Sequence, residues 1–301
     1  MQIILLLIFI FSSLQTVALE TDEPTQVVTI PYMERPAVHR DFADVLLQLA
    51  LQISEDKYGP YKIVQQKQQT VMLRQLQELE KGEHLTVAIS MPMAESLERA
   101  QNIQFPVLKG LSSYRMFLVH RHHLARINNI DTLTALKTLK VGQGPGWSTA
   151  AILENNGFEV VYSGRYSTLV PMLKADRFQL LMRAVYEIGP EFIVFKTDFP
   201  ELEMADEIAV FTYLPMYYFV SKTQPLLIER LDYGLKKAYS SGQYDVLYKQ
   251  YFGDALKLMF AKQRKIFYLE NTNIDRSFFD MDKPYLMDSI IKMEQTRRAT
   301  K

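Results

Sequence analysis

Short β-prone runs alternate with amphipathic helical segments along most of this chain. Residues 27–30 form a predicted strand, two segments of helical periodicity follow, and Gly82 ends the second before another strand at 86–89. The apolar positions of these helical segments are Phe42, Val45, Leu46, Leu49 and Ile53, then Met72, Leu76 and Leu79. Strand–helix–strand units usually pair their strands in parallel, so the sequence predicts an α/β fold with largely parallel sheets.

The same alternation recurs in the middle of the chain. Strands are predicted at residues 138–142, 158–161 and 179–182, and helices at 148–156 and 167–175. These elements predict a second α/β lobe.

Two apolar, β-prone runs, at residues 114–119 and 216–220, lie where the chain can cross between the lobes. Together they are predicted to form a hinge. The predicted parts are a signal peptide at 1–18, lobe 1 at 24–115 with 216–301, lobe 2 at 116–215, and a C-terminal extension at 254–301 that packs on or trails from lobe 1.

The amino-terminal segment predicts secretion. Residues 3–11 are continuously apolar, and small residues precede a plausible cleavage site after Ala18, as in a signal peptide. The apolar run is shorter than the roughly 20 residues that span a bilayer, although no Lys or Arg precedes it, and an uncleaved anchor is the alternative. Because the chain has no cysteine, it can form neither a disulfide nor a lipid-modified cysteine. We therefore expect a soluble periplasmic protein that is not a lipoprotein.

The charge balance narrows the choice of partner. The 34 basic and 34 acidic side chains give a formal net charge of +0, so the overall field gives no argument for nucleic acid or an anionic membrane. Small molecules or proteins remain as expected partners, and we expect a monomer.

Arg99 is the first candidate ligand residue. It follows the strand at 86–89, which the Met91-Pro92 step ends because proline removes a ladder donor. In open α/β sheets ligands bind beyond the carboxyl ends of strands, and a guanidinium can hold a carboxylate through two parallel hydrogen bonds. A solvated surface arginine is the alternative.

The turn at residues 142–149 leads into a predicted helix, and backbone donors at a helix start favour an anion. The turn lacks the G-x-G-x-x-G spacing and contains Pro145, so it does not predict a nucleotide site.

In order and spacing these motifs resemble periplasmic solute-binding proteins of family 3, which serve ABC importers of polar amino acids. The resemblance covers residues 27–253 and rests on Arg99-Ala100 with Phe105-Pro106, on the turn from Val141 to Ser148, and on the ending from Gly242 to Gly253. It implies a type 2 periplasmic-binding-protein fold. Each lobe would be a mostly parallel sheet with flanking helices, and two crossover strands would form the hinge.

The resemblance also implies ligand roles. Arg99 and Ser148 inherit carboxylate binding by their motif positions, and Tyr32 stands where an aromatic ring often packs on the ligand, although it could equally belong to the lobe core. Met91 and Trp147 complete this predicted set. The expected function is capture of an amino acid, another carboxylate or an anionic metabolite between closing lobes for an ABC importer, with no cofactor and no metal.

Arg183 departs from the family pattern. It stands about where amino-acid binders usually carry an acidic residue for the ligand's ammonium group. An arginine there would favour a second carboxylate, a phosphate or a sulfonate. The alternative is an ion pair with Glu187, four residues further on a short helix.

Residues 120–123, His-Arg-His-His, are interpreted as a solvated loop and not as a metal site, because histidines adjacent in sequence usually point apart.

Two rival functions share the expected fold. A dehydratase could use Glu95, Glu98 or Glu187 as an acid, but no catalytic pattern such as G-x-S-x-G is present, so no enzyme is predicted. A sensor would act through a membrane receptor or kinase, and sequence does not separate this alternative from transport.

Overall fold

The computed structural model describes residues 25–32 and 37–299, so the predicted signal peptide lies outside the described residues. Within them no helix is long and apolar enough to cross a membrane. Lobe 1 contains β1 (Gln26–Ile30), α1 (Val38–Ile53), α2 (Glu55–Tyr58), β2 (Tyr61–Gln65), α3 (Met72–Lys81), β3 (Val87–Ser90), α4 (Ala94–Arg99), β4 (Gln101–Asn102), β10 (Tyr217–Val220), α10 (Pro225–Ser240) and α11 (Gln243–Phe260). Lobe 2 contains β5 (Tyr114–His120), α5 (Arg121–Asn128), α6 (Leu133–Leu136), β6 (Val141–Gln143), α7 (Ser148–Asn155), β7 (Val160–Tyr162), α8 (Tyr166–Lys174), β8 (Leu180–Ala184), α9 (Val185–Asp198) and β9 (Leu202–Phe211). The C-terminal extension continues from α11 through β11 (Lys265–Tyr268), α12 (Ser277–Asp282) and α13 (Asp288–Ala299).

Five strands of lobe 1 lie side by side. β1 pairs with β2 in parallel, and β10 runs antiparallel between β3 and β4. The two groups meet at Thr29 and Thr86, where the Thr86 N–H donates to the Thr29 carbonyl at 3.0 Å and the Thr29 N–H donates to Thr86 Oγ1 at 2.8 Å. The carboxyl end of β1 therefore lies beside the start of β3.

Lobe 2 has a six-stranded sheet in the order β11-β9-β5-β8-β6-β7. β6 is parallel to β7 and β8, and β11 is parallel to β9, whereas β5 is antiparallel to both of its neighbours. The predicted two-lobed α/β architecture is confirmed. Each lobe contains both parallel and antiparallel strand pairs, because β5 and β10, the two predicted crossover runs, oppose the strands beside them.

The core of lobe 1 forms where α1 packs against α10. The buried face of α1 consists of Phe42, Ala43, Leu46, Leu47, Ala50 and Leu51, and that of α10 includes Leu227, Leu231, Leu235 and Ala238. The helices approach closely at Gly234, where a Cβ atom would lie 2.2 Å from the Ala50 carbonyl oxygen. Aromatic residues of α11 complete this core, and the rings of Phe42 and Phe252 lie 4.9 Å apart.

The hinge segments cross side by side and are joined by hydrogen bonds. The Thr212 N–H donates to the Ser113 carbonyl at 3.1 Å, and the Leu214 N–H donates to Ser113 Oγ at 3.0 Å. The Ser112 hydroxyl donates to the Leu214 carbonyl. The two crossings are therefore coupled.

The C-terminal extension contacts both lobes, whereas we predicted that it packs on or trails from lobe 1. β11 adds an edge strand to the lobe 2 sheet beside β9. Asp282, fully buried at the end of α12, accepts hydrogen bonds from Tyr213, Tyr217 and Gln104. The extension is thus a third connection between the lobes.

We expect Gly234→Ala to destabilise the protein by about 1–3 kcal/mol, because the added methyl group must force α1 and α10 apart. Urea unfolding followed by circular dichroism measures this change. Gly253→Ala, in α11, is the matched control, since no atom lies within 4 Å of its added Cβ. The control should be neutral or stabilised by up to ~1 kcal/mol from helix propensity. Equal effects of the two substitutions would contradict the close packing.

A candidate ligand-binding cleft between the lobes

A cleft of about 250 Å³ opens between the lobes, beyond the carboxyl ends of β3 and β8. The side of lobe 1 is lined by His39, Arg40, Ile89, Ser90, Met91, Met93 and Met216, and that of lobe 2 by Arg115, Trp147, Ser148, Thr149, Arg183 and Glu187. Strand ends and helix starts place polar groups here, as the sequence predicted for an α/β fold.

Arg183, at the end of β8, is held in a buried ion-pair network. Its Nε and Nη2 donate to the two carboxylate oxygens of Glu191 at 2.7 and 2.6 Å. Nη2 also lies 3.1 Å from Glu187 Oε1, and the second oxygen of Glu187 accepts from the Ala184 N–H at the start of α9. The alternative ion pair with Glu187 therefore exists, and Glu191 is the closer partner. Arg183 lines the cleft, but its charge is already compensated.

Arg115 projects from β5 and is less well satisfied. Its Nη1 lies 3.8 Å from Glu187 Oε2, which is too far for a hydrogen bond, and its side chain is 5% exposed. Its Nε atom is buried without a hydrogen-bond partner among the described residues. Burial lowers the pKa of Arg115 and Glu187 opposes this shift, yet a guanidinium stays charged in proteins.

Arg40 brings a positive charge from lobe 1. It lies in the first turn of α1 and lines both the cleft and a small adjoining cavity, which Asp44 also lines. Within residues 25–32 and 37–299 its guanidinium forms no hydrogen bond or close ion pair. Burial raises the pKa of Asp44 to about 6, and Arg40 opposes that shift. No motif in the sequence indicated Arg40.

Burial determines the protonation state of His39. Its ring lies 5.3 Å from that of Tyr186, and its Nδ1 is buried without a partner in the described part of the chain. Burial is the main cause that lowers the pKa of His39 to about 4; Glu187 opposes this shift, and nearby arginines add to it. The imidazole is therefore neutral at neutral pH and adds no charge to the cleft.

The start of α7 brings the two lobes into contact. Ser148 Oγ donates to Met91 Sδ at 2.8 Å, and the Ser148 carbonyl accepts from Asn273 Nδ2 of the C-terminal extension at 3.1 Å. Trp147 lies over the Arg183 guanidinium at 5.1 Å. The structure therefore brings together four of the predicted residues, Met91, Trp147, Ser148 and Arg183.

Arg99 and Tyr32 do not line this cleft. Arg99 is the last residue of α4, which turns its side chain towards Glu80 of α3, with Nη1 2.5 Å from the Glu80 carboxylate and Nε 3.4 Å from that of Glu95. We predicted that it follows the strand directly, but the intervening helix carries it away. Tyr32 is 36% exposed just beyond β1. The ligand roles of these two residues stay predictions from motif position.

Neither a protein-family model nor a curated protein matches this sequence, whereas many solved structures are similar to it. A periplasmic binding protein of Salmonella typhimurium with high arginine specificity is 16% identical, with a TM-score of 0.55, over 76% of this chain and 100% of that one. An ancestral arginine-binding protein bound to arginine is 18% identical, with a TM-score of 0.54, over 75% of this chain and 98% of that one. The GluR0 ligand-binding core in complex with L-glutamate is 13% identical, with a TM-score of 0.52, over 76% and 99%. This chain has the two-lobed periplasmic-binding-protein fold. Almost the whole length of each neighbour is matched, and the match covers about three quarters of this chain.

We expect the stability of the protein to fall between pH 6.5 and 4 because of His39. The pKa of His39 is about 4 in the folded state and 6.5 in the unfolded state. The contribution of neutral His39 to the free energy of unfolding is therefore fully present above pH 6.5 and is lost as the pH falls towards 4. Denaturant unfolding of wild type and His39→Gln at several pH values should show a difference that changes by roughly 2–3 kcal/mol across this window.

Burial raises the pKa values of Asp44 and Asp282 to about 6, so their protonation increases stability as the pH falls. Both residues are present in wild type and in His39→Gln, so their effect cancels in the difference between the two proteins. A pH-independent difference between wild type and His39→Gln would show that His39 titrates normally in the folded protein and would contradict the burial of its ring.

Proposed function

We propose that this protein is a solute-binding protein that captures a small ligand with an anionic group between its two lobes. The observation that carries the proposal is the cleft itself, because both lobes line it and Arg40 and Arg115 offer donors that the described residues do not use. Its volume of about 250 Å³ suits a molecule the size of an amino acid or a dicarboxylate.

The charge balance of the cleft supports an anion. Among the residues that line it, Arg40, Arg115 and Arg183 supply three positive charges and Glu187 supplies one negative charge. Glu191 pairs with Arg183 and Asp44 lies in the adjoining cavity behind Arg40, so both carboxylates stand outside the lining. A carboxylate, sulfonate or phosphate would replace solvent as the partner of Arg40 with charge-assisted hydrogen bonds.

The start of α7 adds further donors. The first backbone N–H groups of a helix have no partner within the helix, and the helix dipole favours negative charge there. Ser148 and Thr149 stand at this start and line the cleft. An anion bridging Arg40 of lobe 1 and α7 of lobe 2 would favour the closed arrangement, because only that arrangement makes both sets of contacts.

An amino acid remains within the proposed ligand class, and its ammonium group would need an acceptor. The Glu187 carboxylate lines the cleft but already accepts from the Ala184 N–H and pairs with Arg183. The charge balance therefore favours ligands with more negative than positive charge.

We further propose that the protein delivers its ligand to an ABC permease, in the periplasm to which residues 1–18 would direct it. Several structural neighbours are described as binding proteins of ABC transporters, including one from Wolinella succinogenes complexed with lysine. The same fold in the GluR0 ligand-binding core supports the alternative, a sensor that passes its signal to a membrane partner. Copurification with a permease or with a receptor would separate the two.

A thermal-shift screen of the mature protein should identify the ligand class. Amino acids, dicarboxylates, sulfonates and short peptides are compared, because a ligand that prefers the folded state raises Tm. We expect the largest shifts from molecules with a free carboxylate or sulfonate. A preference for cations that lack any anionic group would contradict the proposed charge preference.

The matched pair Arg40→Gln and Arg99→Gln tests the position of the site with the best ligand of that screen. Calorimetric titration should show roughly 10–100-fold weaker binding for Arg40→Gln, since a hydrogen bond to a charged group contributes about 1.5–3 kcal/mol. Arg99→Gln should bind as wild type does, because Arg99 faces Glu80. Weaker binding in Arg99→Gln together with unchanged binding in Arg40→Gln would indicate that the ligand binds beside Arg99, as its motif position implies, and not beside Arg40 in the cleft.

A further inference from the structure

Three side chains with metal-ligating atoms converge on the outer surface of lobe 2. His122 Nε2 lies 2.9 Å from His123 Nε2, which in turn lies 2.7 Å from Asp176 Oδ1. His122 Nε2 also lies 3.7 Å from the second oxygen of Asp176. These residues do not form the solvated loop that we expected, since both histidines lie in the first turn of α5.

The surroundings hold the three groups in place. His120, the last residue of β5, packs its ring against that of His122 in a tilted arrangement with centroids 4.0 Å apart, and its Nδ1 accepts from the His122 N–H at 3.3 Å. Asp176 follows α8 with a φ of 55°, in the left-handed region that Asp and Asn tolerate better than most residues. Gln179 Nε2 lies 3.4 Å from Asp176 Oδ1, the oxygen that His123 contacts.

Protons alone do not satisfy this arrangement. An ionised carboxylate only accepts, so the contact of His123 with Asp176 requires the proton on His123 Nε2. That single proton cannot also point at His122 Nε2, and a protonated His123 Nε2 cannot accept a hydrogen bond from His122. The 2.9 Å contact between the two histidines therefore lacks a well-aligned hydrogen bond whenever the 2.7 Å contact with Asp176 has one. A cation between the three atoms would satisfy all of them through their lone pairs.

We propose that the cluster of His122, His123 and Asp176 binds a divalent transition-metal ion of the Zn²⁺, Ni²⁺ or Cu²⁺ type. Ligand atoms about 2.0–2.2 Å from one ion lie roughly 2.9–3.5 Å apart at right-angled or tetrahedral positions. The closest ligand atoms of the three residue pairs lie 2.7, 2.9 and 3.7 Å apart, and the last of these distances is to the second Asp176 oxygen. Two imidazoles and one carboxylate suit these ions, whereas Mg²⁺ and Ca²⁺ prefer oxygen ligands only.

The ion would join α5 to the turn after α8. The side chains of His122 and Asp176 are 50% and 46% exposed, so an ion can reach the site and keep water in its remaining positions. Because the site lies on lobe 2 and outside the cleft, the proposal does not depend on the identity of the ligand in the cleft.

Proton NMR of the tag-free protein locates the site, since the chain has five histidines. On stepwise addition of Ni²⁺ below one equivalent, the ring signals of His122 and His123 should broaden first, with those of the neighbouring His120. His39 and His84 should stay sharp. Simultaneous broadening of all five histidines would overturn the proposal.

Calorimetric titration with Zn²⁺ tests the ligand set, with Mg²⁺ as the ion that should not bind. Asp176→Asn, which keeps the left-handed turn, and His123→Gln should each lose at least about tenfold in affinity, because even indirect partners of a metal contribute that much. His84→Gln should bind as wild type does. Circular dichroism confirms that each variant folds, and unchanged Zn²⁺ affinity in folded Asp176→Asn and His123→Gln would refute the site.

Discussion

The buried ion pairs of Arg183 with Glu187 and Glu191 set the balance of charge in the candidate cleft. Removing one partner would leave an uncompensated buried charge, which is strongly destabilising, so the three residues act as a unit. With Arg183 neutralised from within, it is Arg40 and Arg115 that remain available to a ligand. The positive charge of the cleft lining is thus shared by several arginines and does not come from a single one.

The same region limits how the lobes can move. Tyr186, in the first turn of α9, packs on Phe252 of α11 with ring centroids 5.8 Å apart, so part of the core is continuous between the lobes. The paired hinge segments and the C-terminal extension add two further connections, and Asn273 of the extension also holds the Ser148 carbonyl at the site. Closure of the cleft would therefore have to preserve or break these three connections.

Periodicity was sufficient to predict the two lobes and the crossover strands, because alternating apolar residues reflect which face of an element is buried. The lining of the candidate cleft was anticipated in part, and the ligand roles of its residues stay predictions. Met91, Trp147 and Ser148 lie at turns whose position follows from the elements before them, whereas Arg99 was displaced by the short helix α4 that no motif indicated. Arg40 carries no local signal, since an arginine on an amphipathic helix becomes a candidate only when the opposite lobe is in place.

A crystal structure of the protein with the best ligand of the screen tests the central claim most directly. We predict that the anionic group of the ligand lies in the cleft, within hydrogen-bonding distance of Arg40 and of the backbone N–H groups that begin α7. Density for the ligand beside Arg99, or at any place outside the cleft between the lobes, would contradict this account.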